Sequence, residues 1–484
     1  MKRKILLPVL LQLGFIGTVF SQDKWDLQRC VEYAWANNIT IKQSKIQAEL
    51  AEVDLKQSQW SQYPSLDFST STGMQWGRSI DRTTNTYTTV SSLYQSFSAS
   101  AGITVFNWNR IKNNILASRY ANDAAGMDVE KAKNDVALNV ATYYLQVLLA
   151  RQQMDIAKVQ MAQTMSQIQF TRKKVEAGAV PELDALTLEG QYATDSSNYI
   201  TAVSNVDQAV LTLKIALNLD AGAVFDITSP PVEQIPVEPI LQLQPQAVFD
   251  IAMKSQPAQK ANELRIQSLA TSVKSSKSLL YPTISVGGSL GTNFNNPTKS
   301  YRQFINGVDT IARADAGSVQ YPVYIPTTGT VSSKKSFSEI WDGWGTQING
   351  NFGQGLGVTL SVPILSGGQA RFNYQRSKLN LKNAQVTKEL TDQTLKNDIY
   401  KAYYSASAAM QKFNASKTSV EITQKTYDFA VKRYELGLLN TFDLLTSQNN
   451  LTRAKLDRAS AQFDYVFKMK VLEFYKGQGI KLSN

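Results

Sequence analysis

Residues 65–76 read Ser-Leu-Asp-Phe-Ser-Thr-Ser-Thr-Gly-Met-Gln-Trp. In an extended chain Leu66, Phe68, Thr70, Thr72, Met74 and Trp76 share one side, and Asp67, Ser69, Ser71 and Gln75 share the other. Three more stretches alternate in the same way. Phe97, Ala99, Ala101, Ile103 and Val105 oppose Ser98, Ser100, Gly102 and Thr104. Ile284, Val286, Leu290 and Phe294 oppose Thr283, Ser285, Ser289 and Asn293. Leu356, Val358, Leu360 and Val362 oppose Gly357, Thr359 and Ser361. Each run is about 10 residues with small polar groups on its second face, as in a strand between lipid and a water-filled lumen. A soluble β-sandwich alternates too, so the rest of the chain has to decide.

Helices of unusual length flank these strands. Leu395, Ile399, Ala402, Ala406, Ala409 and Phe413 recur at spacings of 4 and 3, and the register continues through Val420, Tyr427, Ala430 and Tyr434 without proline or glycine. That is a heptad seam whose alanines favour close helix approach. A similar stretch runs from about residue 107 to 174. At roughly 1.5 Å per residue such a helix is on the order of 100 Å long. A dimeric coiled coil explains the seam but not the strands. Four strands cannot close a membrane barrel, and an open edge cannot be left in hydrocarbon. Two copies would give a barrel of about 8 strands, whose interior side chains fill it, whereas three would give about 12 and an open bore. The expected fold is therefore helix-dominated with membrane β structure, each of three chains contributing four strands.

The chain also repeats itself. Tyr63-Pro64 recurs as Tyr281-Pro282, and at the same offset of 218 Gln28, Ala34, Lys42, Lys56 and Ser58 meet Gln246, Ala252, Lys260, Lys274 and Ser276. Beyond Pro363 the offset is 259, where Tyr144, Phe170, Lys173, Glu176, Gly178, Asp184, Leu186 and Thr187 meet Tyr403, Phe429, Lys432, Glu435, Gly437, Asp443, Leu445 and Thr446. A tandem duplication follows, with 41 extra residues in the second copy. The expected layout is a first repeat over 22–228, a linker over 229–245 rich in proline (Pro230, Pro231, Pro236, Pro239, Pro245), a second repeat over 246–477 and a tail over 478–484. Each repeat reads helix, two strands and two very long helices, and the second carries a longer loop at about 295–347. Residues 1–21 read as a signal peptide. Lys2-Arg3-Lys4 precedes an apolar run over 5–20, and cleavage is expected between Ser21 and Gln22. No transmembrane helix is expected after it.

Composition removes most chemistry. Among 484 residues there is no histidine and one cysteine, Cys30, which excludes imidazole catalysis, His-ligated zinc and an intrachain disulfide framework. The net charge of +11 is not organised into basic runs interleaved with aromatics, so nucleic acid is not an expected partner. No phosphate-cradling glycine loop or metal cluster appears, and no enzyme or cofactor is expected. A hydrolase would need paired acids in a pocket, whereas the acids here are scattered along helix faces.

Tyr-Pro before each first strand, Phe106-Asn107-Trp108-Asn109-Arg110, Pro363-Ile364-Leu365-Ser366-Gly367-Gly368, and Arg433-Tyr434-Glu435-Leu436-Gly437 with Asp443 six residues on resemble the TolC family of outer-membrane efflux proteins. The Phe-Ser-Gln signal ending resembles Bacteroidetes members. The resemblance covers essentially the whole mature chain. It implies a homotrimer in the outer membrane of a Gram-negative cell, with a 12-stranded barrel continued by a 12-helix barrel across the periplasm. It also implies a passive exit duct for efflux or type I secretion, fed by an inner-membrane pump through a periplasmic adaptor. The alternative kept open is an anchored structural or adhesive envelope protein, with Tyr301, Phe304, Tyr321, Tyr324, Trp341 and Trp344 of the extra segment as its binding surface.

Two turns carry the expected sites. Gly178 and Gly437 each follow a long helix, and Pro181 and Asn440 open the next as N1 and N-cap residues. The resemblance implies adaptor docking at Gly178, Ala179 and Val180 and at Gly437, Leu438 and Leu439; Leu438-Leu439 is an apolar pair on a turn. Asp184 and Asp443 complement a helix dipole in a first turn. The resemblance further implies that Asp443 rings the entrance and favours cations, and that Asp184 and Tyr434 hydrogen-bond to hold it closed. Thr446 stands where the family's best-known pattern has a second entrance aspartate, and Leu439 where it has an arginine, which implies a weaker lock.

Overall fold

The computed structural model describes residues 24–81, 86–229, 235–365 and 367–477. The expected signal peptide and C-terminal tail, with Pro230, Pro231 and Ser366, lie outside the described residues. The elements run α1 Leu27–Asn37, α2 Ile39–Trp60, β1 Ser65–Asp81, β2 Thr86–Phe106, α3 Arg110–Glu176, α4 Glu182–Leu217, α5 Pro245–Ser255, α6 Pro257–Ser278, β3 Thr283–Pro297, β4 Lys299–Ala316, β5 Val319–Lys334, α7 Phe337–Ile340, α8 Trp344–Gly350, β6 Gly353–Ser361, α9 Gln369–Glu435 and α10 Thr441–Tyr475. Both α3 and α9 are 67 residues long, while the helices after them, α4 and α10, reach 36 and 35. The chain divides into a helical unit (1–53, 119–268, 381–484) and a strand-bearing unit (54–118, 269–380).

In the strand-bearing unit four antiparallel strands lie in the order β1-β2-β3-β6. Pairing sets Leu66 against Ala101 and Phe68 against Ala99; β2 then sets Ala101 against Gly288 and Ile103 against Val286, and β3 sets Val286 against Val358. Side chains alternate along a strand, so these residues form one continuous apolar face. It is bare: Leu66, Phe68, Leu356 and Val358 are between 69% and 85% exposed. The opposite face is a serine ladder, with Ser69 hydroxyl to Ser98 hydroxyl at 2.7 Å and Ser71 to Ser96 at 2.8 Å. The strands at 17, 21, 15 and 9 residues are mostly longer than the expected ten. The segment expected as a loop over 295–347 is largely ordered. It completes β3, forms the separate β4–β5 ribbon, and ends in α7 and the start of α8.

In the helical unit the opening helix of each half is two helices. Asn38 ends α1 at ψ 133°, its Oδ1 accepts from Thr40 N (2.9 Å), and its Nδ2 donates to Ala216 O at the end of α4 (2.9 Å). Gln256, 218 positions on, ends α5 at ψ 127° and donates from Nε2 to Phe474 O and Tyr475 O at the end of α10 (3.1 and 3.3 Å). Residue 257 is proline, which disfavours helical dihedrals in the residue before it. The largest apolar cluster joins α1, α3, α4 and α10 through Ala34, Val140, Tyr144, Val147, Leu213, Leu217 and Val466. The described part of the linker is docked rather than free. Ile235 and Leu243 are buried, Glu238 N donates to Glu473 Oε1 (2.9 Å), and Lys476 Nζ donates to Glu238 Oε2 (2.8 Å). By length and composition alone α4 is apolar enough to cross a membrane, with 17% of its apolar window buried.

Candidate functional site

The α3–α4 and α9–α10 turns are built alike. Gly178 N bonds Val175 O (2.9 Å) and Ala179 N bonds Lys174 O (2.8 Å); Gly437 N bonds Tyr434 O (3.0 Å) and Leu438 N bonds Arg433 O (2.8 Å). Both glycines have positive φ, +69° and +76°. That is the left-handed residue after a helix C-terminus, closing orphan carbonyls through six-to-one bonds. A Cβ at either position would meet open space, so the dihedral angle alone demands glycine.

The turns differ on their exit side. Asn440 Oδ1 accepts from Asp443 N (2.8 Å), and Asn440 Nδ2 donates to Asp443 Oδ2 (2.9 Å), a reciprocal cap. Pro181 sits one position earlier than the expected N1, at the cap, where it makes no side-chain bond and accepts only through its carbonyl from Asp184 N (3.1 Å). The apolar pair splits: Leu439 packs on the cluster of Tyr427, Ala430, Tyr434, Leu444 and Leu451, while Leu438 is 65% exposed. Gly178 and Ala179 are exposed and Val180 half-buried. Asp443 and Thr446 are exposed, the Thr446 hydroxyl bonding back to Phe442 O (2.9 Å).

Asp184 is half-buried and is not the partner of Tyr434 within the chain. The Tyr434 hydroxyl is buried against Thr171 Oγ1 (2.7 Å), with Thr441 Oγ1 at 3.4 Å. Sequence reasoning missed Thr171, and with it a seam along α3. Gln160, Thr164, Gln167, Thr171 and Lys174 recur at spacings of 4 and 3, and each bonds another helix. Gln160 accepts from Thr452, and Gln448 donates to Thr164 (3.0 Å). Gln167 donates to Tyr427 OH (2.9 Å), and Lys174 Nζ donates to Tyr434 O and Glu435 O (3.2 and 3.1 Å). Thr164 also donates to the buried Asp195 of α4 (2.6 Å), which Gln191 holds at 2.8 Å. Lys174 answers the carbonyls that end α9 and lies 5.3 Å from the Tyr434 ring, a cation at a helix C-terminus. The signal that could have found this seam was the heptad spacing itself, filled with Gln and Thr instead of Leu. Burial raises the pKa of Tyr427, partly offset by the bond from Gln167.

Among the described residues these turns bring together no nucleophile–base pair or metal-ligand cluster. Their chemistry is that of two hairpins joined by exchangeable polar bonds, with a carboxylate and bare apolar side chains at their tips.

The model of the family described as outer membrane efflux protein matches residues 31–219 and 248–472. Outer membrane protein TolC of Escherichia coli strain K12 is 22% identical over 472 residues, spanning 96% of this chain and 84% of that protein. Among solved structures, a membrane protein from Pseudomonas aeruginosa superposes with a TM-score of 0.71 at 17% identity, over 94% of this chain and 92% of that one. The Campylobacter jejuni CmeC outer membrane channel superposes with a TM-score of 0.69 at 18% identity, over 95% and 87%.

Proposed function

This chain belongs to the outer membrane efflux protein family, and from that premise we propose that three copies build one passive duct through the outer membrane. The family places the strands in that membrane and the helical part in the periplasm. The observation that carries the reading is a four-stranded sheet with one bare apolar face, one serine face and two unpaired edges, β1 and β6. Hydrocarbon offers no partner to an open edge, so the sheet must join others until the wall closes. With three copies the barrel has about 12 strands and an aqueous bore. Apolar side chains left bare on α4, among them Ile200 and Ile215 at 67% and 69% exposed, supply contacts between copies in the helical part.

The helix tips are the entrance. A periplasmic adaptor docks at Gly178, Ala179, Val180, Gly437 and Leu438, with Leu439 as an internal prop, and an inner-membrane pump supplies the substrate. Three Asp443 carboxylates around a narrow opening focus negative potential and favour cations. Asp184 lines the same rim, and Thr446 adds no charge to it. The lock is the Thr171–Tyr434–Lys174 contact between hairpins in place of an Asp184–Tyr434 bond.

Planar-bilayer conductance of the purified full chain tests this reading. Cation-preferring openings are expected, and Asp443→Ala should weaken the preference without abolishing the openings. A chain that inserts and never conducts would instead be an anchor. The β4–β5 ribbon, with Tyr301, Phe304, Tyr321 and Tyr324 exposed, would then be its attachment surface.

A further inference from the structure

Residues 335–352, which contain α7 and α8, fold back onto the four-stranded sheet, and the face they choose is informative. The side chains they meet are Leu93 and Gln95 of β2 and Thr292, Phe294 and Asn296 of β3, while Gln347 and Asn351 bond the backbone edge of β3 at Asn295 and Asn293. Pairing sets Leu93 against Asn296, Gln95 against Phe294 and Ala99 against Leu290, so all five lie on the apolar face and none on the serine ladder. Phe294 is fully buried there and stacks on Trp341 with ring centroids 5.7 Å apart. Asn296 donates to Ile340 O (2.9 Å) and accepts from Lys335 Nζ (2.8 Å), Thr292 donates to Ile348 O (2.6 Å), and Trp344 Nε1 donates to Gln95 Oε1 (2.7 Å).

Depth follows from counting. The opposite, helix-proximal end of the sheet carries a cluster of Phe106, Trp108 and Tyr281, with ring centroids 5.2 and 5.0 Å apart. From Phe106 of that cluster to Phe97, which pairs with Thr292 at the near margin of the folded-back segment, is nine residues. At about 3.3 Å per residue and a tilt near 40° this spans about 23 Å, close to the height of the apolar band of a membrane barrel between its aromatic girdles. The segment therefore sits one band height from the helix-proximal girdle, on the extracellular side. Its outer surface presents Phe337, 79% exposed, and Trp344, 39% exposed. Its first turn is closed by a capping box between Ser336 and Glu339, which leaves few backbone groups calling for water.

We infer that 335–352 is an interfacial foot: it lies outside the barrel wall, seated at the boundary between headgroups and acyl chains of the outer leaflet, with bilayer lipid as its partner. Within 335–352 Lys335 stands against Glu339 and Asp342, leaving no excess of positive charge, so apolar burial and not headgroup charge seats it. The inference rests on the membrane reading of the sheet given above.

Nitroxide accessibility separates the two. In a Cys30→Ala background, Phe337→Cys and Ser338→Cys are labelled singly in the full chain and reconstituted into phosphatidylcholine–phosphatidylglycerol vesicles. Ser318→Cys at the β4–β5 turn serves as the aqueous reference and Leu356→Cys as the mid-face reference. Both foot labels should lie within about 5–10 Å of the headgroup boundary and collide with a water-soluble nickel chelate several-fold less often than the Ser318→Cys label. If they collide as freely as that reference while the Leu356→Cys label stays in lipid, the foot is wrong and the barrel stands. If the Leu356→Cys label is aqueous as well, the membrane reading of the sheet falls with it.

Discussion

Helix α3 passes through two regions of the helical unit that are held by different balances of apolar and polar contact. Around residues 136–148 it buries Val136, Val140, Tyr144, Leu145, Val147 and Leu148 against α1, α4 and α10. Near its C-terminal end it presents Gln160, Thr164, Gln167, Thr171 and Lys174 to α9 and α10, with Ile168 alone of α3 in a small apolar cluster with Leu188 and Leu445. Apolar burial is lost outright when helices part, at roughly 25 cal/mol per Å². A polar contact that parts into water is rehydrated, and its net worth is only about 0.5–1.5 kcal/mol. One helix thus has a clamped waist and a separable tip. In the duct proposed above, which has to open at one end without falling apart, the separable contacts belong at the proposed entrance.

The sharpest way to break this contrast is to remove waist packing. Leu213 of α4 is fully buried in the apolar cluster. Leu213→Ala should cost about 2–5 kcal/mol through lost transfer energy and a residual cavity. It is read as lost amide-exchange protection in α3 around 136–148, with the tip residues 160–174 little changed. Equal loss in both regions would show that the helix opens as one unit.

Alkali gives a second, smaller handle. Burial pushes the Tyr144 phenol up to about 12, only partly offset by its hydroxyl bond to Thr228, and pushes the Cys30 thiol beside it up to about 12 as well. Raised acids of this kind stay protonated in the folded waist after they have ionised in the unfolded chain. Their contribution is complete below about pH 10 for the phenol and is lost as pH climbs towards 12. By pH 11 Tyr144 alone should cost on the order of 1 kcal/mol of waist protection. Tyr144→Phe should remove that part of the alkaline loss, while tyrosinate absorbance reports the titration directly.

The contrast was half legible in the sequence. Strand faces could be read because alternation is local, and both glycine turns because a helix that ends in a left-handed residue advertises it. Hidden were the features that depend on what lies opposite. Asn38 breaks a helix without proline or glycine, because its side chain reaches Ala216 O some 178 residues away. Gln and Thr at heptad spacing on α3 look like a solvated face until Tyr427, Tyr434 and Gln448 are placed against them. Tyr434 was found by resemblance, but its partner Thr171 was not. The β4–β5 ribbon escaped period-two reading because register shifts between Ile305 and Gly307 and between Thr310 and Ala312 interrupt the alternation.

The smallest perturbation asks most of the comparison. Thr171→Val keeps the shape of a side chain with no exposure and removes the 2.7 Å bond to the Tyr434 hydroxyl. Thr441 Oγ1 still donates to that hydroxyl at 3.4 Å, but the phenol O–H loses Thr171 as its partner, so the loss is about 1 kcal/mol or somewhat more. Thermal stability of the assembled protein should barely move, because the waist carries it. Open probability in a planar bilayer should rise about fivefold for each contact of about 1 kcal/mol that parts, and by more if the three contacts of the proposed trimer part together. Lys174→Met should act in the same direction through the carbonyls of Tyr434 and Glu435. A Thr171→Val channel that gates like wild type, yet loses stability as Leu213→Ala does, would place the fixed part of the molecule at its tip and reverse the assignment.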